Sequence, residues 1–255
     1  MAGYNTTVLL DPQVKKEVPV FQLGDDFLWF ISPHLWTASS AGGGTSPAYD
    51  TANVNPGGCV KFVTGAGAGQ ESMLGTTQAP FLFAAGKPLE CECLLNYAEQ
   101  ATNKAAIAFG FGDVIATTGF MTSNGTVLVG TFSGAIIYKL AGETVWRCGV
   151  SIGTTNVLSK SNTTAGAAGP VIVGQQLNFQ KLRIDIEASH DAAGQVTVTY
   201  FVNDVQLTDS VTGLKIAHTI AYSGATAMKV GVYSVAGAAT SEIAYVDYIN
   251  ALQQR

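Results

Sequence analysis

Residues 182–208 alternate apolar and polar side chains, and this pattern predicts the centre of the fold. The apolar positions of the first run are Leu182, Ile184, Ile186 and Ala188, and the polar positions between them are Arg183, Asp185, Glu187 and Ser189. A period of two is typical of a strand with one buried face and one solvated face. Residues 191–194 and Asn203-Asp204 indicate turns before strands at 196–202 and 205–207. The stretch therefore predicts an antiparallel meander over a hydrophobic layer.

Further strand-like runs precede and follow this meander. They occupy residues 59–64, 89–95, 105–112, 127–129, 135–140, 145–150, 156–160, 227–235 and 243–249. Glycine in the run 105–112 predicts a bulge or a close approach of backbone. Residues 38–58 and 161–169 are rich in small and turn-forming residues, and we expect surface loops there. Because no amphipathic helix interrupts the strands, the sequence predicts an all-β sandwich or barrel.

The chain has 255 residues, of which 12% are charged, and a formal net charge of −5. A sandwich of this length is often a single domain. The acidic balance argues against a protein that binds a phosphate backbone, so we expect no nucleic-acid partner. The low charge density suggests that other subunits cover part of the surface.

The N-terminal sequence lacks the charged and apolar regions of a secretory signal, which predicts synthesis in a cytoplasm. No apolar run reaches the roughly 20 residues of a membrane helix, so we expect no membrane partner. Four cysteines, Cys59, Cys91, Cys93 and Cys148, are then expected as free thiols. A metal site at the Cys91-x-Cys93 pair is the alternative, but filling of the core by small thiols is the commoner use.

Residues 1–24 differ from the rest of the chain because they show no sustained strand or helix period. We interpret them as an arm that docks on a partner, although packing on its own domain remains an alternative. Its candidate anchors are the apolar residues Val8, Leu9, Leu10, Val18, Val20 and Phe21. The predicted organisation is an arm at 1–24, a sandwich domain at 25–250 and a tail at 251–255.

Several short motifs occur in a recognisable order. They read DDF (25–27), GGCVKFV (57–63), ECECLL (90–95), AFGFGD (108–113), SGAIIYKL (133–140), KLRIDIE (181–187), YFVNDVQL (200–207) and YVDYI (245–249). Together they resemble the concanavalin A-like jelly-roll proteins, the fold of laminin G domains, lectins and some glucanases. Within that group they look most like virion structural proteins of tailed bacteriophages.

The resemblance implies a jelly roll of two antiparallel sheets and a function without catalysis. It implies a decoration or cement protein on the capsid surface, bound to the major capsid protein. It also implies a homo-oligomer, with a trimer favoured. A glycan-binding or receptor-binding virion module and a glycoside hydrolase are the two alternatives.

The hydrolase alternative lacks its usual residues. Glucanases of this fold resemble one another at an E-x-D-x-x-E strand, and the matching positions here hold Arg183, Asp185 and Ala188. Glu90 and Glu92 share a strand face and form the remaining carboxylate pair, although such pairs are more often solvated. The histidines His34, His190 and His218 are scattered, and no Ser-His-Asp order, G-x-S-x-G or H-E-x-x-H motif occurs. We therefore expect no catalytic residues and no cofactor.

A glycan site needs exposed aromatic platforms, for which the candidates are Trp29, Trp36 and Trp146, although core packing is their commoner use. A structural calcium ion held by Asp25, Asp26 and Asp247 is a further alternative.

Overall fold

The computed structural model describes residues 20–27, 34–50, 58–84, 86–99, 104–116, 119–166, 179–188, 194–222 and 224–254. Within these ranges the chain forms strands and one short 3₁₀ turn, Ser123–Gly125. The strands are β1 Val20–Asp25, β2 Trp36–Ala41, β3 Thr45–Tyr49, β4 Val60–Val63, β5 Glu71–Thr76, β6 Phe81–Ala84, β7 Leu89–Ala98, β8 Ala105–Gly112, β9 Gly134–Lys139, β10 Val145–Ile152, β11 Thr155–Thr164, β12 Gln180–Ala188, β13 Gln195–Val202, β14 Val205–Gln206, β15 Ala217–Ala221, β16 Ala225–Ala236 and β17 Ile243–Gln254.

The strands form two sheets. Within each sheet, every pair of neighbouring strands is antiparallel. Sheet A has the order β14-β13-β12-β7-β17-β4-β3, with β1 on β17 and β15 on β13. Sheet B has the order β11-β10-β9-β8-β16-β5-β2, with β6 on β16. The two-sheet architecture predicted from the alternation is confirmed.

The main core lies between the inner faces of the two sheets. Sheet A contributes buried residues such as Cys91, Ile184 and Val198, and sheet B contributes Phe109, Ile137 and Val232. Because successive side chains of a strand point to opposite faces, the partly exposed side chains of Glu90, Glu92, Arg183 and Asp185 lie on the outer face of sheet A.

The predicted meander is present as β12, β13 and β14. Ile184 pairs with Tyr200, and the turn between β13 and β14 falls at Asn203-Asp204. Both turn residues have positive φ, at 52° and 63°. This is the requirement of a type I′ hairpin turn, and Asn and Asp satisfy it more easily than most residues.

Two predicted loops contain strands. Residues 38–58 were expected to be one long loop, but β2 and β3 occupy most of the described part. β11 likewise extends to Thr164, inside the loop predicted at 161–169. Small and polar residues form these strands because sheet partners satisfy their backbone hydrogen bonds, and this tertiary pairing overrides a weak local preference.

Strand β1 crosses the boundary predicted between the arm and the sandwich domain. Val20–Asp25 pairs with the C-terminal half of β17, in register from Val20↔Gln254 to Asp25↔Ile249. Residues 20–24 of the predicted arm and residues 251–254 of the predicted tail therefore belong to sheet A. Residues 1–19 lie outside the described part of the chain.

A connection between β8 and β9 covers part of the outer face of sheet B. We call its described residues, 113–116 and 119–133, the covering segment. The Asp113 N–H donates to Ser133 O at 2.9 Å, and the Ser133 N–H donates to Asp113 Oδ1 at 2.8 Å, so the two ends are held together. Between them the residues Ile115, Phe120, Met121, Leu128 and Phe132 form a second buried cluster against β5, β8, β9 and β16. The strand predicted at 127–129 is reduced to a single bridge, Met121↔Leu128.

Candidate functional site

The carboxylates on the outer face of sheet A are the first candidates for chemistry. Register places Glu90 opposite Asp185 and Glu92 opposite Arg183. Burial, and then the charge of Asp185, raise the pKa of Glu90. The Asp185 pKa is raised by burial as well, while Arg183, whose Nε lies 3.3 Å from Asp185 Oδ1, acts to lower it. The sequence could not reveal the Glu90–Asp185 pair, because strand order is a tertiary property.

Cations accompany these carboxylates on the same face. The Lys181 Nζ lies 2.6 Å from Asp204 Oδ1 and 3.9 Å from Glu92 Oε2. The Arg183 guanidinium stacks on the Phe201 ring at 4.2 Å. The arrangement is a cross-strand ionic network on a partly exposed sheet face.

A serine–histidine pair joins the open edges of the two sheets. The Ser159 Oγ of β11 lies 2.9 Å from His218 Nε2, and the Tyr200 Oη lies 3.1 Å from His218 Nδ1. A neutral imidazole has one donor and one acceptor, and the two hydroxyl groups satisfy both. Sequence inspection missed this pair because 59 residues separate its members and no motif marks them.

The environment of His218 does not suit activation of the serine. Burial lowers the pKa of His218 to about 4, against a smaller opposing effect of Asp209. A catalytic triad needs a carboxylate on Nδ1 to stabilise the imidazolium that forms. Here the partner is Tyr200, and burial raises its pKa well above the usual value, so it remains a neutral phenol. The three residues form a structural hydrogen-bond chain between the sheets.

The residues expected to hold calcium are only partly brought together. Asp26 lies close enough to Asp247 to raise its pKa, in addition to the larger effect of burial. Asp25 instead accepts hydrogen bonds from Trp36 Nε1 at 2.8 Å and from the Phe27 N–H at 2.9 Å. No group of three or more His, Cys, Asp or Glu side chains in the described ranges is placed to hold a metal ion. Two carboxylates do not fit calcium, which takes six to eight oxygens.

The four cysteines are buried free thiols. Burial, as the first cause, raises the pKa of each of them, to about 11 for Cys59. Since the thiolate is the form that binds metals and attacks electrophiles, the raised pKa makes these side chains poor metal ligands and poor nucleophiles.

The two tryptophans of the described residues do not supply a glycan platform. Trp36 and Trp146 are buried, and their indole N–H groups donate to Asp25 and Gln180. Trp29 lies outside the described residues. The large exposed hydrophobic side chains of the described ranges are all aliphatic, so none of them offers a ring for stacking on a sugar.

A cleft of about 340 Å³ opens between the covering segment and strands β9 to β11. Its wall is mostly apolar, and Val127 and Leu158 are 57% and 45% exposed at it. The Arg147 guanidinium in the same cleft donates from Nε and Nη2 to the two oxygens of Glu143, at 2.5 and 2.6 Å. Because that charge is already paired, the cleft is suited to an apolar group more than to an anion.

A hairpin tip at residues 208–215 presents the most exposed apolar side chains. Val211 is 89% exposed and Leu214 is 69% exposed. Asp209 Oδ1 accepts from the N–H groups of Val211 and Thr212, at 3.0 and 2.8 Å, and the Asp209 N–H donates to Leu214 O at 2.8 Å. Apolar side chains on a loop ordered in this way are available to a partner without a large entropic loss. The sequence shows two apolar residues around Thr212-Gly213, but their exposure is visible only in the structure.

Of the six predicted anchors of the arm, two lie in the described residues. Val20 begins β1 and is 55% exposed, whereas Phe21 packs against the core, with its ring 5.5 Å from that of Phe81. Phe21 is therefore part of the sandwich. Val8, Leu9, Leu10 and Val18 lie outside the described ranges. In the described part of the chain, no helix has the length and hydrophobicity needed to cross a bilayer.

No family model and no curated protein sequence matches the chain. Solved structures do match the chain, and three of them are described here. An endo-1,3-beta-glucanase from Streptomyces sioyaensis superposes with a TM-score of 0.58 at 12% identity, covering 94% of this chain and 98% of that one. The Emp47p carbohydrate recognition domain gives 0.51 at 11% identity, over 92% and 95%. Peanut lectin gives 0.50 at 10% identity, over 92% and 98%.

These similarities establish the fold. The chain is a concanavalin A-like jelly roll, as the sequence motifs implied. Glucanase and lectins share that fold, and at these identities it assigns neither activity to this chain.

Proposed function

We propose that this jelly roll is a non-enzymatic structural protein that acts by binding other proteins. The main support is the hairpin tip, which holds Val211 and Leu214 in water on an ordered backbone. Exposed aliphatic side chains on an ordered loop offer apolar area that a partner can bury.

The partner that we propose is the major capsid protein of a tailed bacteriophage, with this chain as a decoration protein on the capsid surface. The support is the resemblance of the strand motifs, together with the charged fraction of only 12%. A homo-oligomer around a capsid symmetry axis, with a trimer favoured, would cover further apolar surface. Residues 1–19 would contribute the anchors Val8, Leu9, Leu10 and Val18, and Val20 would extend them.

Co-sedimentation with capsid shells of the phage that encodes the protein tests this proposal. We expect the wild-type chain to sediment with the shells. The double variant Val211→Asp/Leu214→Asp should bind at least about tenfold more weakly, because burial of two aliphatic side chains is lost. Leu35→Asp is the matched control, since Leu35 is 43% exposed away from the tip. Failure of the wild-type chain to bind shells would remove the capsid from the proposal.

The arm is tested separately by deletion of residues 1–19, which leaves β1 intact. Weaker shell binding with unchanged thermal stability is expected for a docking arm. Unchanged shell binding would exclude these residues from the interface.

Glycan binding is the second candidate, and its support is the polar side chains of Arg147 and Asn156 beside Tyr138 at the wall of the cleft. Retention of the wild-type chain by an immobilised glycan, and its loss in Asn156→Ala, would support this function over the first. Release of reducing sugar that Glu90→Gln abolishes would instead indicate a hydrolase.

A further inference from the structure

A buried charged cluster at one end of the sandwich takes no part in the proposed function. Lys139, the last residue of β9, donates from Nζ to Glu99 Oε1 and to Ala105 O, the latter at 2.7 Å. The side chains of Lys139 and Glu99 are only 1% and 4% exposed. Glu99 directly follows β7 of sheet A, whereas β9 belongs to sheet B, so the contact joins the two sheets.

A second carboxylate belongs to the same cluster. Glu242 is 1% exposed, and its charge acts on both Lys139 and Tyr97. Its backbone is fixed, because the Glu242 N–H donates to Thr64 Oγ1 at 2.8 Å and its carbonyl accepts from the Thr64 N–H at 3.0 Å. One amine and two carboxyl groups are thus enclosed together.

Aromatic residues enclose the amine on another side. The Lys139 Nζ lies 5.6 Å from the centroid of the Tyr97 ring. The Tyr97 hydroxyl donates to Ala165 O at 2.5 Å, and its ring packs edge-on against Trp146 at 6.1 Å. The cluster is therefore fixed in position and shielded from bulk water.

We propose that Lys139 and Glu99 form an intramolecular amide cross-link. The Lys139 nitrogen attacks the Glu99 carboxyl carbon, the new C–N bond forms and one C–O bond breaks. The ammonium group gives up two protons and Glu99 gives up one oxygen, which together leave as water. Glu242 carries a proton between the nitrogen and the departing oxygen. The step needs no oxidant and no cofactor.

Two physical effects favour this condensation. Burial lowers the pKa of Lys139, which raises the fraction of neutral amine, the form that attacks a carbonyl carbon. Groups held in contact react with effective molarities of about 10⁵–10⁸ M, and a dry site releases water to bulk solvent. An amine and a carboxylic acid that are free in water have neither the lowered amine pKa nor the high effective molarity.

Mass spectrometry of the unfolded wild-type protein tests the proposal. We expect a mass lower than that of the sequence by one water, and a branched peptide that links the Lys139 and Glu99 segments after proteolysis. Recovery of both residues in separate linear peptides from folded protein would overturn the cross-link and leave an ion pair.

Variants identify the role of each group. Lys139→Arg keeps the positive charge but cannot form the amide under these conditions, so it should show the full sequence mass.

Glu242→Gln should lower the cross-linked fraction while leaving Lys139 and Glu99 in place. Glu187→Gln is the control, because Glu187 is exposed at the end of β12 and its charge acts on Asp185 and not on Lys139, so its cross-linked fraction should equal that of the wild type. An unchanged fraction in Glu242→Gln would contradict the assigned proton transfer.

Discussion

The two outer faces of the sandwich differ although both belong to antiparallel sheets. The outer face of sheet A is solvated and carries Glu90, Glu92, Arg183 and Asp185. The outer face of sheet B over β5, β8, β9 and β16 lies under the covering segment, and all residues of β8 and β9 are buried. A strand with one solvent-exposed face alternates polar and apolar residues, whereas a strand that is covered on both faces is apolar throughout.

Glycine explains how the covering segment lies directly on sheet B. A Cβ atom on Gly112 would come within 2.5 Å of the Phe120 ring, and one on Gly75 would come within 2.6 Å of Ile115 Cγ2. At these glycines, β5 and β8 therefore leave space for side chains of the covering segment. The outer face of sheet A instead presents charged side chains. The comparison shows that one face of the fold serves as a second core and the other as a surface.

The largest effect should come from removal of the covering aromatic ring. Phe120 is 1% exposed and packs against Phe132 and Tyr233. We expect Phe120→Ala to lower the free energy of unfolding by about 3–5 kcal/mol, because it leaves a cavity. Phe201→Ala, on the solvated face, should lose only about 1 kcal/mol with its cation–π contact. Urea denaturation of both variants checks this, and equal losses would contradict the difference between the faces.

A methyl group added to the floor of the second core tests the close packing. Gly112→Ala should destabilise the protein by about 1–3 kcal/mol, because the new methyl group overlaps the Phe120 ring. The control is Gly130→Ala in the covering segment, where a Cβ would meet no atom within 4 Å. Its unfolding free energy should change by no more than about 0.5 kcal/mol. If Phe120→Leu fails to restore part of the stability of Gly112→Ala, the overlap is not the cause.

The edge where the sheets meet should respond to pH. The pKa of His218 is lowered from 6.5 to about 4 in the folded protein, so the unfolded chain binds a proton at higher pH. Stability contributed by the neutral side chain is thus complete above pH 6.5 and falls as the pH decreases towards 4. Between pH 6.5 and 5 we expect a loss of about 1.5 kcal/mol in the unfolding free energy.

Denaturation curves at both pH values measure this loss. His218→Gln should remove most of it, whereas His34→Gln, at an exposed position, should retain it. A wild-type curve that does not shift between these pH values would be inconsistent with a buried neutral His218.

The smallest effect is expected on the charged face. The pKa of Glu90 is raised in the folded protein, chiefly by burial and then by Asp185. Glu90 therefore ionises more readily in the unfolded chain. Its contribution to stability decreases as the pH rises from the pKa in the unfolded chain through the raised pKa in the folded protein. At pH 7, Glu90→Gln should be neutral or stabilising by up to about 1 kcal/mol.

Glu143→Gln should have the opposite sign. The pKa of Glu143 is lowered, first by its hydrogen bonds from Arg147, so its ionised form favours the folded protein. Thermal melts of the two variants at pH 7 give the comparison, and a destabilised Glu90→Gln protein would oppose it.

Sequence periodicity determined much of the fold. The alternation in β12 and β13, the Asn203-Asp204 turn and the apolar run of β8 each predicted their elements, because side-chain period and turn chemistry are local properties. Glycines in residues 105–112 predicted a bulge or a close approach of backbone, and at Gly112 it is the Phe120 ring that comes close. β2 and β3 were missed, because their small residues resemble loop composition and only pairing with β4 and β5 makes them strands.

The candidate sites depended on tertiary structure far more than the fold did. The Glu90–Asp185 pair, the Ser159–His218–Tyr200 chain and the Lys139–Glu99 contact each join residues distant in sequence. Sequence alone determined which residues were polar and which strand face each occupied. Which polar residues meet, and whether water reaches them, was decided by strand order and by the covering segment, because both are set by packing between elements that no local pattern encodes.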